Sequence, residues 1–128
     1  MAGMPETWAS ARAIAQGQSS QREDSNLLAE LQRCIRDALP DGGATLDAIA
    51  ATLGFSERTL QRRLQSVQLN FQQLVERLRF EAACQYLLQG DLPLTEIGYQ
   101  LGYSEPSAFS RAFRRWSGVS PLAYRRRS

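Results

Sequence analysis

A chain of 128 residues with 43% apolar and 22% charged residues has the composition of one or two small folded domains, not of a disordered polymer. No apolar run approaches the ~20 residues of a membrane span, and residues 1–20 lack a charged start followed by an apolar block, so the chain reads as cytoplasmic with no membrane partner. Histidine is absent, which removes the commonest general base and metal ligand, while Cys34 and Cys84 sit in apolar helical stripes and read as buried free thiols, so neither catalysis nor a metal or cofactor is expected.

In chain order, residues 1–24 are rich in Ala, Ser, Gln and Gly, with Trp8 and Ile14 the only large apolar residues besides two Met. They read as a flexible segment or as the remnant of an interdomain linker, with Trp8 once packed against something absent. From Ser25, a plausible N-cap, Leu28, Leu31, Ile35 and Leu39 recur at helical spacing until Pro40-Asp41-Gly42-Gly43 stops the helix. Thr45 then caps a short helix with Leu46, Ile49, Ala50 and Leu53 on one face, ended by Gly54. After Phe55, Ser56 is the N-cap of a helix to about Val67 with Leu60, Leu64 and Val67 inward.

Asn70 to Gln89 reads as one 20-residue helix, about 30 Å long at 1.5 Å per residue. Phe71, Leu74, Val75, Leu78 and Ala82 share one side, opposite Gln72, Gln73, Glu76 and Arg77. Further along, Phe80, Cys84 and Leu87, with Ala83 and Leu88 beside them, form a second stripe turned about half a revolution from the first. The change of face fits either a spacer whose two halves pack on two units or a helix sandwiched inside one larger core.

Beyond the spacer the earlier pattern returns. Leu94, Ile97, Gly98 and Leu101 repeat the apolar face, Gly102 the turn glycine, Tyr103 stands for Phe55, and Ser104-Glu105 repeats Ser56-Glu57. Six of twelve positions are identical between Leu46–Glu57 and Leu94–Glu105, at an offset of 48 residues. Phe109, Phe113 and Trp116 then point inward, Gly118 makes a turn, and Ser120-Pro121 opens a last short helix.

This duplicated unit has the parts of a helix-turn-helix. Ala50 and Gly98 are small where two helices cross, Gly54 and Gly102 can take positive φ, and Phe55 and Tyr103 plug the core under the turn. Ser56 and Ser104 leave helix N-termini facing outward, where they favour phosphate. Outward on the first recognition helix lie Arg58, Gln61, Arg62 and Gln65, residue types that pair with guanine and adenine edges. A merely solvated face usually carries Glu and Lys as well. On the second helix the outward residues are Ser107, Ser110, Arg111 and Arg114, shorter and more suited to shape and phosphate. Charge follows the same direction: residues 1–55 hold four Arg against seven acids, and residues 56–128 eleven against six. Arg114, Arg115 and the Arg125 to Arg127 run are phosphate candidates, the last equally a solvated tail. All fifteen basic residues are Arg, which suits bidentate contacts and is equally what a biased genome gives.

From about Ser25 to Arg127 the chain resembles the DNA-binding domain of the arabinose-regulator (AraC/XylS) family of bacterial transcription factors. The resemblance rests on Ser56-Glu57-Arg58-Thr59-Leu60-Gln61-Arg62-Arg63-Leu64, on the run from Leu101 to Trp116, and on Gly118, Ser120-Pro121 and Tyr124-Arg125. It implies an all-α fold of about seven helices, with helix-turn-helix subdomains at 25–69 and 90–128 joined by a linker helix at 70–89. It also implies insertion of both recognition helices into successive major grooves, with Arg58, Gln61 and Arg62 contacting bases in the first unit and Ser107, Ser110 and Arg111 in the second. The expected partners are double-stranded DNA, at a non-palindromic site with two boxes about one turn apart, and RNA polymerase. Such regulators usually carry a separate sensor domain. Residues 1–24 cannot hold one, so the chain reads as the DNA-binding fragment of a longer regulator, or as a short stand-alone member. The competing reading is a helical protein-interaction module that keeps the fold without reading DNA. Its recognition faces of Arg and Gln disfavour that, as the lack of clustered carboxylates or a nucleophile motif disfavours an enzyme.

Overall fold

Helical periodicity with frequent Gly and Pro stops dictates short helices. The computed structural model describes residues 22–127, and among these it has seven helices and no strand: α1 (Arg22–Ala38), α2 (Leu46–Leu53), α3 (Glu57–Ser66), α4 (Phe71–Gln89), α5 (Leu94–Gln100), α6 (Pro106–Ser117) and α7 (Pro121–Arg127). The expectations for residues 1–21, Trp8 included, lie outside the described residues. Helix α1 starts at Arg22, ahead of Ser25, which is therefore within the helix and not its cap. Nothing in the sequence Arg22-Glu23-Asp24 breaks a helix. Thr45 does occupy the N-cap position of α2 but makes no capping bond to the helix. Its hydroxyl, beside Asp47, instead holds that carboxyl below the usual carboxylate range.

Helix α4 has 19 residues, about 28 Å. Asn70 is its N-cap, not its first residue: Oδ1 accepts from the Gln73 N–H at 3.2 Å. The helix touches α1 as well as α5, α6 and α7. Phe71, Leu74, Val75 and Leu78 are buried, as are Phe80, Ala83 and Leu87 further on, while Ala82 and Cys84 are half-buried. The buried residues of both halves of the chain form one continuous apolar cluster, from Leu31 and Ile35 in α1 through α4 to Phe109 and Phe113 in α6. Around Phe113 the rings of Phe80, Phe109, Trp116 and Tyr124 lie 5.4–6.5 Å away, centroid to centroid, in tilted or edge-on contacts.

Three expectations for side chains are corrected. Arg77, expected opposite the first stripe, is only 4% exposed. It stands one turn before Phe80 and two before Cys84, so the second stripe begins earlier than its apolar residues reveal, and Arg77 heads it. Its guanidinium pairs with Glu81 at 3.9 Å, and Glu81 also faces Arg36 of α1 at 3.8 Å, a connection that makes burial of the charge tolerable. Leu88 is 56% exposed, being turned about 100° around the helix from the buried Leu87. Cys34 and Cys84 are free thiols but half-buried rather than buried. The Tyr124 hydroxyl donates to Cys84, and that bond together with burial pushes Tyr124 up to about 12.

Candidate nucleic-acid interface

Each candidate reading helix follows a tight turn built by the same hydrogen bonds. In the first unit the Phe55 N–H donates to the Ala50 carbonyl at 2.8 Å and Gly54 N–H to Ala51 at 3.1 Å; in the second, Tyr103 N–H reaches Gly98 and Gly102 N–H reaches Tyr99, both at 3.0 Å. Gly54 and Gly102 have φ of +81° and +93°, the left-handed conformation that favours glycine. At Gly98 a Cβ would lie 3.3 Å from the Phe109 Cβ, so the crossing of α5 and α6 needs a small residue there.

After the turns the two units fall out of step. Ser56 is the N-cap of α3, its hydroxyl accepting from the Thr59 N–H at 3.1 Å. Ser104 has no such role: the N-cap of α6 is Glu105, with no side-chain capping bond, and Pro106 is the first helical residue. Pro106 drives the residue before it into extended backbone, and Glu105 accordingly has φ −133° and ψ 135°. The helix therefore starts one residue later than the Ser-Glu identity suggests. Phe55 and Tyr103 are 48 residues apart, whereas the buried Leu64 and Phe113 are 49 apart.

Of the residues named from the sequence as DNA contacts, all but Arg125 are exposed. Arg58, Gln61, Arg62 and Gln65 lie together on α3, opposite the buried Leu60 and Leu64. Ser107, Ser110, Arg111 and Arg114 form the matching face of α6, opposite Phe109, Ala112 and Phe113. Ser56 is at the start of α3, and Ser104 in the turn before α6. Arg58, Arg62, Arg111 and Arg114 form no ion pair among the described residues, so their charge is unneutralised. Arg115 differs: its Nη2 donates to Glu76 Oε1 of α4 at 3.2 Å. The pair is 64% and 42% exposed, and such a surface contact contributes under about 1 kcal/mol. Arg125 is not a free tail residue. Its Nε donates to the Leu87 carbonyl at 3.3 Å and its Nη2 to that of Leu92 at 2.6 Å, which anchors α7 to the end of α4.

Arg63 carries no expectation of a DNA contact from the sequence. It is exposed, shares a shallow depression with Thr59, Arg62 and Ser66, and places its guanidinium 5.4 Å over the Phe55 ring. On the helix it is turned about 100° from Arg62, toward the buried Leu60, so helical spacing held no signal for it. Gln72, at the start of α4, also borders Gln61 and Gln65 across a groove floored by Leu64 and Leu69.

A family model described as a helix-turn-helix domain matches residues 31–127, which include both units and α4. The chain belongs to the AraC-type helix-turn-helix family. This AraC-type chain is 43% identical over 102 residues to the helix-turn-helix transcriptional regulator VirS of Mycobacterium tuberculosis, a match covering 80% of the chain and 30% of VirS. It is similar in structure to the C-terminal domain of AraT, a response regulator from Geobacillus stearothermophilus, with TM-score 0.69 and 33% identity over 78% of this chain and 84% of that one. The DNA-binding domain of the global transcriptional factor AdpA, solved with a target DNA, matches with TM-score 0.59 and 29% identity over 76% of this chain and 90% of that one. The AraC-type chain thus spans about 30% of the length of the curated regulators it matches. Among its described residues no helix is long and apolar enough to cross a membrane.

Proposed function

We propose that the chain binds double-stranded DNA, with α3 and α6 in successive major grooves, and thereby regulates transcription in the cytoplasm as the DNA-binding part of a longer bacterial regulator that also contacts RNA polymerase. The observation that carries the reading is the pair of helix-turn-helix units whose second helices both present exposed Arg, without an ion-pair partner among the described residues, beside Gln or Ser. In this reading Arg58, Gln61, Arg62 and Gln65 meet base edges in one box. Ser107, Ser110 and Arg111 meet the other, and Ser56, Ser104, Arg114 and Arg115 position the protein on phosphates. Family membership and the resemblance to the AdpA domain support it. Two different units in one chain match a non-palindromic site.

With Arg125 committed to backbone carbonyls, about four or five phosphates remain to be neutralised, and the slope of log affinity against log salt is expected near −4. A titration between low and moderate salt measures it, and a slope near zero removes the electrostatic part of the reading.

Arg62→Ala is expected to lose about 1 to 3 kcal/mol and to relax preference at one or two base pairs, the behaviour of a base-edge contact. Arg115→Ala, freeing only the exposed Glu76, weakens binding to all sequences alike. Selection of bound sequences from a random DNA library, carried out with both variants, reads the difference; identical preferences contradict the division into readers and anchors.

A further inference from the structure

The turn of the second unit is gripped by the first half of the molecule, residue by residue. The Arg79 Nε–H, on α4, donates to the Leu101 carbonyl at 3.1 Å. Its guanidinium carbon lies 5.1 Å over the Tyr103 ring. Between them, Gly102 presses so closely on the end of α1 that a Cβ there would sit 2.5 Å from the Leu39 carbonyl oxygen and 3.7 Å from Arg79 Nη2. One turn earlier on α4, Glu76 holds Arg115 near the end of α6. Burial pushes the Tyr103 hydroxyl upward, with Arg79 and Arg115 pulling the other way, so the phenol under the guanidinium is neutral at ordinary pH. The first unit repeats only one part of this clasp: Arg63 lies 5.4 Å over the Phe55 ring, but it belongs to α3 of the same unit, and nothing lies within 4 Å of where a Gly54 Cβ would be.

A bare carbonyl contact or an exposed ion pair would leave the turn free to swing. A planar guanidinium that donates in its own plane and stacks on a ring across it fixes position and angle together, which lysine cannot do. We propose that Arg79 is a positioning residue that sets the orientation of the second helix-turn-helix relative to the linker helix, and through it the spacing of boxes the chain accepts. The consequence for box spacing rests on the two-box reading above; the orientation itself does not.

The test therefore has two arms. In the full chain with Cys34→Ala and Cys84→Ala, spin labels at Ala51→Cys on α2 and Thr95→Cys on α5, both exposed, report the distance between units by electron-electron double resonance without DNA. The parent gives one narrow distance distribution. Arg79→Met broadens it while far-ultraviolet circular dichroism stays unchanged, and Arg79→Lys gives an intermediate width and keeps the protein folded should the methionine variant melt. A core-weakened control, Leu60→Val, loses stability yet stays narrow, as a merely structural effect would. In the second arm, the preference of the unlabelled chain for two-box over one-box DNA falls about tenfold in Arg79→Met, since a loosened tether lowers the effective concentration of the second unit. Equal widths in parent and both Arg79 variants overturn the proposal. A parent that is narrow but shows no two-box preference leaves the orienting role standing and removes the two-box reading with its spacing consequence.

Discussion

Five base pairs inserted between the two boxes of the proposed site should reduce binding to the level of a single box. The insertion puts the second box on the opposite face of the duplex, since B-DNA turns once in about 10 to 10.5 base pairs. Helix α4, about 28 Å of continuous helix, fits the roughly 34 Å between major grooves one turn apart. It packs against α1 as well as α5, α6 and α7, and as one unbroken helix it offers no joint about which the second unit could rotate. Losing the second box removes the advantage of linked modules, roughly 100-fold or more. Ten inserted pairs restore the face but double the distance, and should be as damaging. Electrophoretic shifts on the three sites compare them directly. Binding to the ten-pair site as tight as to the parent would mean that the units are flexibly tethered.

The largest effect on stability is expected from Gly102→Ala. Two costs add there: a side chain in left-handed backbone, about 1 to 2 kcal/mol, and a Cβ driven into the Leu39 carbonyl oxygen at 2.5 Å, for which overpacking costs of about 1 to 3 kcal/mol are typical. A loss of about 3 kcal/mol or more is a large part of the 5 to 15 kcal/mol that stabilises small proteins. Gly54→Ala, in the corresponding turn with φ +81° and open space around it, meets only the first cost, about 1 to 2 kcal/mol. Urea midpoints of the two variants measure the difference. Equal losses would show that the contact with α1 is not what distinguishes the turns.

The features legible in the sequence were local ones. Gly54, Gly102 and Ser56 each act within four or five residues of themselves, so their spacing alone exposed the turns and the first recognition helix, and the recurrence of Leu46–Gly54 as Leu94–Gly102 marked the duplication. Apolar spacing likewise gave α4 and its two stripes. What escaped depends on contacts between residues far apart or on one dominating neighbour. Arg77 looks like surface until the fold buries it beside Glu81, which also faces Arg36 of α1. Arg125 looks like part of a basic tail, and only the carbonyls of Leu87 and Leu92, at the end of α4 and just beyond it, give it a structural task. Arg115 carries no mark of its partner Glu76, 39 residues earlier. Ser104 misled because identity with Ser56 outweighed a local rule that was also in view: proline two residues later excludes Glu105 from the helix.

That one-residue slip has a consequence for anyone who would graft specificity from one unit to the other. Copying the outward residues of α3 into α6 by sequence alignment, at an offset of 48, would put Gln61 in place of Phe109, a side chain 1% exposed among the rings of Tyr103 and Phe113. The transplant would bury an amide and hollow out the second unit before it ever met DNA. Stepping by 49 instead carries Arg58, Gln61, Arg62 and Gln65 onto Ser107, Ser110, Arg111 and Arg114, all on the surface. Even then the graft would sit behind the Glu105 carboxylate and Pro106, which has no N–H to offer a phosphate, where α3 begins with a serine hydroxyl. A chimera made in the second register should fold and yet grip the backbone less firmly than its donor.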